Sequence, residues 1–480
     1  MDVLGTTPFA DLGALGLGNV NDLVKALTTG YGTDVAAFTG GQALRVQSLD
    51  QLLYDTIWAD RHIQLFKLLK RTPIQSTVDE WTERSEYGSP YGGVSGEANN
   101  PVSTSATLAR KTGNAKFYRT YREVSHVATI VRNIIQAVAE EEQAGTRFLL
   151  GNLERDVFFG DSSIIPEQID GILPVVVAAA ATGCIQNLNG VALDNRDYIH
   201  DGASTIGSYA GVPTHFFADP FSKTDIDKAF LGSERFIPQQ AGDGQLQVDL
   251  GIGRLATSYG VLQMISDIFL APERGWFNET TPLHKAPTTS RGGDTSNPAP
   301  AAPTVLTSAA AGADGTIPAG NYFYRVSSIN CNGESASLAS IVQAVGATNH
   351  VTLTITHTDA AVKGFRIYRT AKNAASAADC RYLYQCVALV GGVTTWVDTG
   401  TWVPGTTVCF MVDANPLDSA LDWRQLMPMM KLDLAIVKPA IPWLQMIYGF
   451  LRVTRPKRLV IYKNVLPSLI KEGGWNPLGT

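Results

Sequence analysis

The chain has 480 residues, of which 45% are hydrophobic and only 17% charged, with a formal net charge of -6, 45 glycines and 24 prolines. The charged share lies below the usual figure of about 25%, and the balance is that of a folded, strand- and turn-rich protein of two to four domains rather than a disordered one. The five cysteines, Cys184, Cys331, Cys380, Cys386 and Cys409, form no Cys-x-x-Cys pair. That argues against a disulfide scaffold or structural zinc and fits a reducing cytoplasm. The start, MDVLGTTPFADLGALG, lacks the basic residues and apolar core of a signal peptide, and the longest apolar run, LPVVVAAAAT, is too short to span a bilayer. Neither secretion nor membrane insertion is expected.

Residues 1–48, rich in Gly, Thr and Ala, read as an extended arm with little to stabilise it. Leu53, Ile57, Ile63, Phe66 and Leu69 predict a helix from Leu49 to Leu69. STVDEWTERSEYG and ATLARKTGNAKFYRTYREVSH then predict two long strands around the polar tip EYGSPYGGVSGEANNP, with Gly92, Gly93 and Gly96 permitting tight bends. On the second strand Phe117, Arg119 and Tyr121 share one side, while Tyr118, Thr120 and Arg122 share the other. Neither side is wholly apolar, so such a hairpin needs something to lie on.

The strongest helical pattern covers 125–157. Its stripe is Val127, Ile130, Val131, Ile134, Ile135 and Val138, followed by Phe148, Leu149 and Leu153. At about 1.5 Å per residue it spans about 45–50 Å, with Gly145 and Gly151 expected to break or thin its packing. From 164 to 285 short strands and helices alternate. Helices are expected around Ile164–Leu173 and Leu193–Tyr209 and over FSKTDIDKAFL; strands over GVPTHFFADP, LQVDL and TSYGVLQMISD; and a surface loop over 231–248. TSRGGDTSNPAPAAPTV reads as a linker, as does DTGTWVPGTT. Between them lie about 100 residues of alternating strands, a small inserted sandwich in which Tyr322, Tyr324 and Val326 form the inward stripe. TTVCFMVDANPLDSALDW resumes the earlier domain. In YGFLRVTRPKRLVIYKNV, Pro456 interrupts a strand that LVIY resumes.

Chemical motifs are weak. GIGRLA, Gly251–Ala256, has dinucleotide-loop spacing, but TSYGVLQMI after it forms strand, not the helix whose N-terminus would meet a pyrophosphate. His350 and His357 flank VTLTIT and read as surface residues of the module. No His-Glu-x-x-His, Walker A or Gly-x-Ser-x-Gly sequence occurs, so neither an enzyme nor a cofactor or metal site is expected. Arg452, Arg455, Lys457 and Arg458 suit a phosphate groove, an interface with acidic neighbouring subunits or an ordinary solvated sheet face, and either of the last two is preferred to the groove. Glu140, Glu141 and Glu142 suit a wet helix face, or a partner for basic groups such as Lys116, Arg119 and Arg122 on the hairpin or on another subunit. These ten charges are the candidate inter-subunit contacts.

The order of these elements resembles the major capsid proteins of tailed bacteriophages, the HK97-like fold. STVDEWTERSEYG through TYREVSH resembles their extended loop, and VATIVRNIIQAVAEEEQAGTRFLLGNLERDVFFGD their spine helix. IIPEQIDGI, GVPTHFFADP and FSKTDIDKAFLGSERF are similar to axial-domain segments, and YGFLRVTRPKRLVIYKNV to the closing peripheral strands. The module, through YFYRVSSINCNGES and KGFRIYRT, resembles immunoglobulin-like or fibronectin type III domains.

The resemblance implies an α+β fold divided as follows: arm and leading helix, 1–74; extended loop, 75–123; spine helix and peripheral domain, 124–163; mainly axial domain, 164–288; linker, 289–301; inserted immunoglobulin-like domain, 302–402, which should be removable; and a return to both domains, 403–480. It implies self-assembly through pentamers and hexamers into an icosahedral shell enclosing double-stranded DNA without sequence-specific recognition. Separate scaffold and portal proteins, decoration proteins, a virion location and assembly in the host cytoplasm follow from the same resemblance, with no membrane role. A shell protein of a non-viral nanocompartment is the alternative.

Overall fold

The computed structural model describes residues 59–480 apart from 89–90, 92, 101–102, 132–135, 180, 232–238, 241–245, 248–251, 271–283, 390, 417 and 480. The expected arm, the first half of the leading helix, Ile134, Ile135, Gly92, Gly251 and most of the 231–248 loop lie outside the described residues.

Two sheets and one long helix build the body. A four-stranded sheet has the order Lys70–Pro73, Leu421–Asp433, Ala440–Val453, Lys116–Ser125, with only its first pair parallel. A six-stranded sheet has the order Ile185–Val191, Leu459–Val465, Thr407–Val412, His215–Ala218, Gly260–Ser266, Arg254–Thr257. Every residue of Thr407–Val412 is buried, because both faces of this sheet are covered. On one face Phe410 and Phe217 meet Phe158 at ring-centre distances of 5.0 and 5.7 Å. On the other, Cys409, Met411 and Tyr462 pack with Ile199, Ala203 and Ile206 of helix Arg196–Ser208 and with Ile226 of helix Pro220–Leu231. A strand buried on both faces shows no polar alternation, which accounts for the run TVCFMV.

The long helix runs Ala137–Phe159, about 35 Å at 1.5 Å per residue, and is shorter than the 125–157 pattern predicts. Val131 takes an extended backbone, φ -69° and ψ 142°, which ends a separate short helix, His126–Ile130. Gly145 does not break the long helix. It lets the helix approach strand Ala440–Val453, where a Cβ would stand 2.0 Å from Oε1 of Gln445. Gln445 Nε2 donates to the Glu142 carbonyl at 2.8 Å across that contact.

The leading helix is likewise corrected. Among the described residues a 3₁₀ turn, Asp60–His62, precedes a single α turn, Leu65–Leu68, and the chain then enters the four-stranded sheet. The turn is held by Glu154, whose buried carboxylate accepts the backbone N–H groups of Gln64, Leu65 and Phe66 at 2.9, 2.6 and 2.8 Å. Asp267 is buried beside it. Burial first, and then the charge of Glu154, push the Asp267 pKa well above the ordinary carboxylate range. Burial also raises the Glu154 pKa, opposed by its three backbone donors. The helix expected around Ile164–Leu173 begins later, at Ile172–Ala179, after turns stabilised by Asp161 and Asp170.

The inserted stretch builds two facing sheets. One is Val305–Ala311, His350–Thr356, Val393–Asp398; the other has Gly320–Ile329 at its centre, flanked by Gly364–Arg369 and Ile341–Val345, with Arg381–Val387 beyond. Tyr322, Tyr324 and Val326 all point into the space between them. Val305–Ala311 pairs with His350–Thr356 and not with Gly320–Ile329, the strand that follows it, so the order departs from the immunoglobulin pattern, where the first two strands are neighbours.

Neither expected linker is free. Arg291–Gly292 adds a short strand to the module by pairing with Gly333–Glu334. Val403 and Pro404 are buried, and Val403 N–H donates to Asn464 Oδ1 at 2.9 Å. Ile164, Ile165 and Ile329 form a shared apolar cluster, and the Arg381 guanidinium lies 3.9 Å from the centre of the Trp475 ring. The module is therefore docked on the body over buried contacts.

Two outcomes are expected. Glu154→Ala strips three buried donors of their acceptor and should cost about 3–5 kcal/mol in urea denaturation of the unassembled subunit; Asp267→Asn, which mimics the protonated acid, should change the midpoint little. At the module junction, burial and then Arg381 and Lys285 lower the His284 pKa from 6.5 to about 4. The folded chain then refuses a proton that the unfolded chain accepts, so stability is complete above pH 6.5 and is lost as pH falls towards 4. By pH 5 the loss is about 2 kcal/mol, and thermal melts of His284→Gln should lack this increment.

Candidate assembly surfaces

The second strand of the predicted extended loop changes partner at Ala115, which is buried. Before it, Thr107–Asn114 pairs with Val78–Glu86 in an isolated two-stranded hairpin; after it, Lys116–Ser125 pairs with Ala440–Val453 in the body. Lys116, Arg119 and Arg122 thus belong to the sheet and not to the projecting hairpin, a correction to the sequence reading. Alternation along Lys116–Ser125 is regular, with Tyr118, Thr120 and Arg122 half-buried and Phe117, Arg119 and Tyr121 exposed.

Among the described residues, the root of the hairpin is anchored on the body. Trp81 stacks on Phe450 at 6.4 Å, and Arg424 Nε meets Asp79 Oδ2 at 2.7 Å. Gly113 is required there, since a Cβ would fall 2.2 Å from the Phe450 ring. Farther out nearly every residue of both strands is exposed, Leu108 included, as are Tyr87, Tyr91 and Val94 in the tip. The pairs Arg110–Glu80 and Lys111–Glu83, each 3.2 Å, are solvated and contribute little alone.

A second unpartnered surface lies at the far end of the four-stranded sheet. His126 N–H donates to the Pro439 carbonyl, joining helix His126–Ile130 to the turn between the two longest strands. Val127, Ile130 and Val131, part of the apolar stripe read from the sequence, are 67%, 73% and 56% exposed, and Ile436 and Val437 are 70% and 94% exposed. Among the described residues none covers these side chains.

The basic stretch is largely consumed within the chain. Arg452 makes a two-pronged contact with Asp422 at 2.8 and 2.7 Å. Arg455 pairs with Asp418, and Arg458 reaches Asp418 at 2.9 Å and Asp413 at 3.5 Å. Hydrogen bonds from both arginines hold the Asp418 carboxyl below its usual range. Lys457 and Lys463 lie over the rings of Tyr209 and Trp402. The acids were visible in VDANPLDSALDW, but only the antiparallel register that sets Asp422 opposite Arg452 reveals the pairing. The preferred inter-subunit role of these cations therefore competes with partners they already have.

The acidic run behaves similarly. Glu141 meets Arg122 at 2.6 Å and Glu142 meets Lys431 at 3.0 Å. Glu140 is half-exposed, Arg119 is exposed, and Lys116 Nζ donates to the Pro166 carbonyl.

Ile252 and Gly253 lead into strand Arg254–Thr257, which turns directly into Gly260–Ser266, so GIGRLA precedes no helix. His350 Nδ1 contacts Asp314 at 2.6 Å, and the His357 ring packs on Phe365. Among the described residues no His, Cys, Asp and Glu cluster could hold a metal ion, no helix is long and apolar enough to cross a membrane, and the five cysteines are free thiols. A cavity of about 650 Å³, which sequence reasoning missed, separates module from body; Arg155 and Arg366 line it with Leu173, Tyr384 and Trp402.

No protein-family model matches the chain. The major capsid proteins of Staphylococcus phage K and Staphylococcus phage S25-3 are each 22% identical over 468 residues, covering 92% of this chain and 95% of their own. Among solved structures, a chain from the capsid of a native GTA particle is 9% identical with TM-score 0.46, covering 91% of this chain and 99% of its own. One from Gordonia phage Cozz is 14% identical with TM-score 0.43, covering 89% and 93%. The chain is similar over nearly its whole length to phage major capsid proteins.

Reversing one partner of the Arg122–Glu141 pair should cost up to about 1 kcal/mol, and the exchange Arg122→Glu with Glu141→Arg should restore it, read from denaturation midpoints. If Glu141 also acts between subunits, the exchanged protein will regain stability without regaining its yield of assembled particles.

Proposed function

We propose that this chain is the major capsid protein of a tailed bacteriophage with the HK97-like fold, and that its copies assemble through pentamers and hexamers into an icosahedral shell around double-stranded DNA. The similarity to phage major capsid proteins across 92% of the chain carries the reading. Two physical features support it. A largely exposed hairpin and an apolar sheet end that no described residue covers are costly in a solitary molecule, and both are accounted for if neighbouring copies supply covering surfaces. Cations committed to Asp413, Asp418 and Asp422 leave a wall with little attraction for phosphate, suited to containing DNA without gripping it.

The chemistry is mechanical. Each interface is weak, and closure of the shell makes many of them act together. Separate scaffold and portal proteins, with assembly in the host cytoplasm before release as a virion, complete the reading.

Negative-stain microscopy of the purified chain tests it. Closed particles are expected; solitary molecules under every assembly condition would overturn the proposal, and particles filled with protein cargo would favour a compartment instead. The hairpin gives a sharper test. Glu86 and Thr107 are register partners, so residues 87–106 can be replaced by a two-residue Asn-Gly turn. The shortened subunit should remain folded by circular dichroism yet form no closed shells.

A further inference from the structure

Most of the longest apolar run in the sequence forms helix Ile172–Ala179, which carries no polar side chain. Ile172 and Val176 enter the core of the body. Leu173 and Val177, on the neighbouring row of the helix, line the cavity of about 650 Å³ between body and module, together with Pro174 and Ala178. The module contributes an aromatic wall, where Tyr384 stacks on Trp402 at 5.4 Å with the ring planes 28° apart. The volume lies within the range of about 300–1,000 Å³ typical of small-molecule sites, which favour such junctions between domains.

Charge on the lining is unevenly placed. Arg155 comes from the long helix and Arg366 from the module. Arg366 and Arg291 already flank the buried Glu334, at 2.8 and 3.5 Å. Burial, and then the nearby Arg366, lower the Arg155 pKa to about 10, as expected for two cations held close together. The acids of the lining are turned to donors of their own. Asp161 and Asp170 accept the N–H groups of Ser163 and Ser162 at 2.9 Å, and Asp156 accepts the Tyr118 hydroxyl at 2.8 Å. We propose that this cavity binds an amphipathic carboxylate, an acid with an apolar ring or chain. Its body would lie between helix Ile172–Ala179 and the Tyr384–Trp402 pair, and its charge would meet Arg155 and Arg366. A carboxylate placed there offsets the repulsion between the guanidiniums, whose forked N–H groups match its two oxygens. Because body and module each supply a wall, the bound acid also favours the docked arrangement over any in which the two separate. The site lies within one chain and does not rest on the shell reading.

The test titrates the purified full-length chain with pyrenebutyrate, a fluorescent carboxylate, and with pyrenebutanol, its uncharged counterpart. Saturable binding of the acid is expected, with a dissociation constant of about 10–100 µM for a ligand of this size. The alcohol should bind about tenfold more weakly or worse. Val177 is 41% exposed and lines the cavity, so Val177→Trp fills it without disturbing the core. That variant should keep its circular dichroism spectrum and bind the acid about tenfold more weakly or worse. Arg155→Met should bring acid and alcohol to the same affinity. Where Arg155→Met fails to fold, the ratio of acid to alcohol affinity in the unaltered chain decides the role of charge, and Val177→Trp decides the location. No saturable binding, equal affinity for acid and alcohol in the unaltered chain, or acid binding unchanged by Val177→Trp would overturn the proposal.

Discussion

One buried carboxylate sets the frame. Glu154 sits in the long helix without contact with water and gathers three successive backbone N–H groups at the point where the chain enters the body. An acid so placed is tolerated because those donors replace its hydration. The contact fixes the approach of Leu65–Leu68, whose Phe66 meets Trp423 edge-on at 5.2 Å. From Trp423 the four-stranded sheet extends in one direction, and from Phe158, one helical turn beyond Glu154, the six-stranded sheet extends in the other. The long helix thus joins two sheets that share no strand.

Around that frame the chain treats charge and apolar surface in opposite ways. Most of its clustered cations and anions are matched internally, Arg452 by Asp422 and Arg122 by Glu141. Several of its apolar side chains are not, and they concentrate on the hairpin and at one sheet end. Matched charge removes long-range repulsion between copies; unmatched apolar area supplies attraction of short range that depends on fit. This division suits association that is selective in geometry but weak per contact.

Much of this was legible in the sequence. Period-two alternation identified the faces of Lys116–Ser125 and the inward stripe of Tyr322, Tyr324 and Val326, because each lies in a sheet with one packed side. Pro456 marked the strand break correctly, since it has no N–H for the ladder. What escaped had non-local causes. The apolar period through Val127–Val131 continued into the next helix, and nothing in it could show that the backbone would straighten at Val131. The change of partner at Ala115 depends on a strand more than 300 residues later. The linker signal at 398–407 reported turn chemistry faithfully, but turn residues can be buried when another segment, here Asn464, bonds their backbone. For the candidate assembly charges, residue type was visible and pairing was not, because pairing is set by register.

The position of the inserted module also bears on the timing of synthesis. Thr407–Val412 lies at the interior of the six-stranded sheet, between Leu459–Val465 and His215–Ala218. It leaves the ribosome only after the whole module has done so. At about 5–20 residues per second, some 100 residues delay it by about 5–20 seconds. During that interval His215–Ala218 and Gly260–Ser266 wait with an open edge, while the module can close its own sandwich. The nascent body is therefore the late-folding part of the molecule, and it becomes competent to meet other copies only when its last strands have been translated.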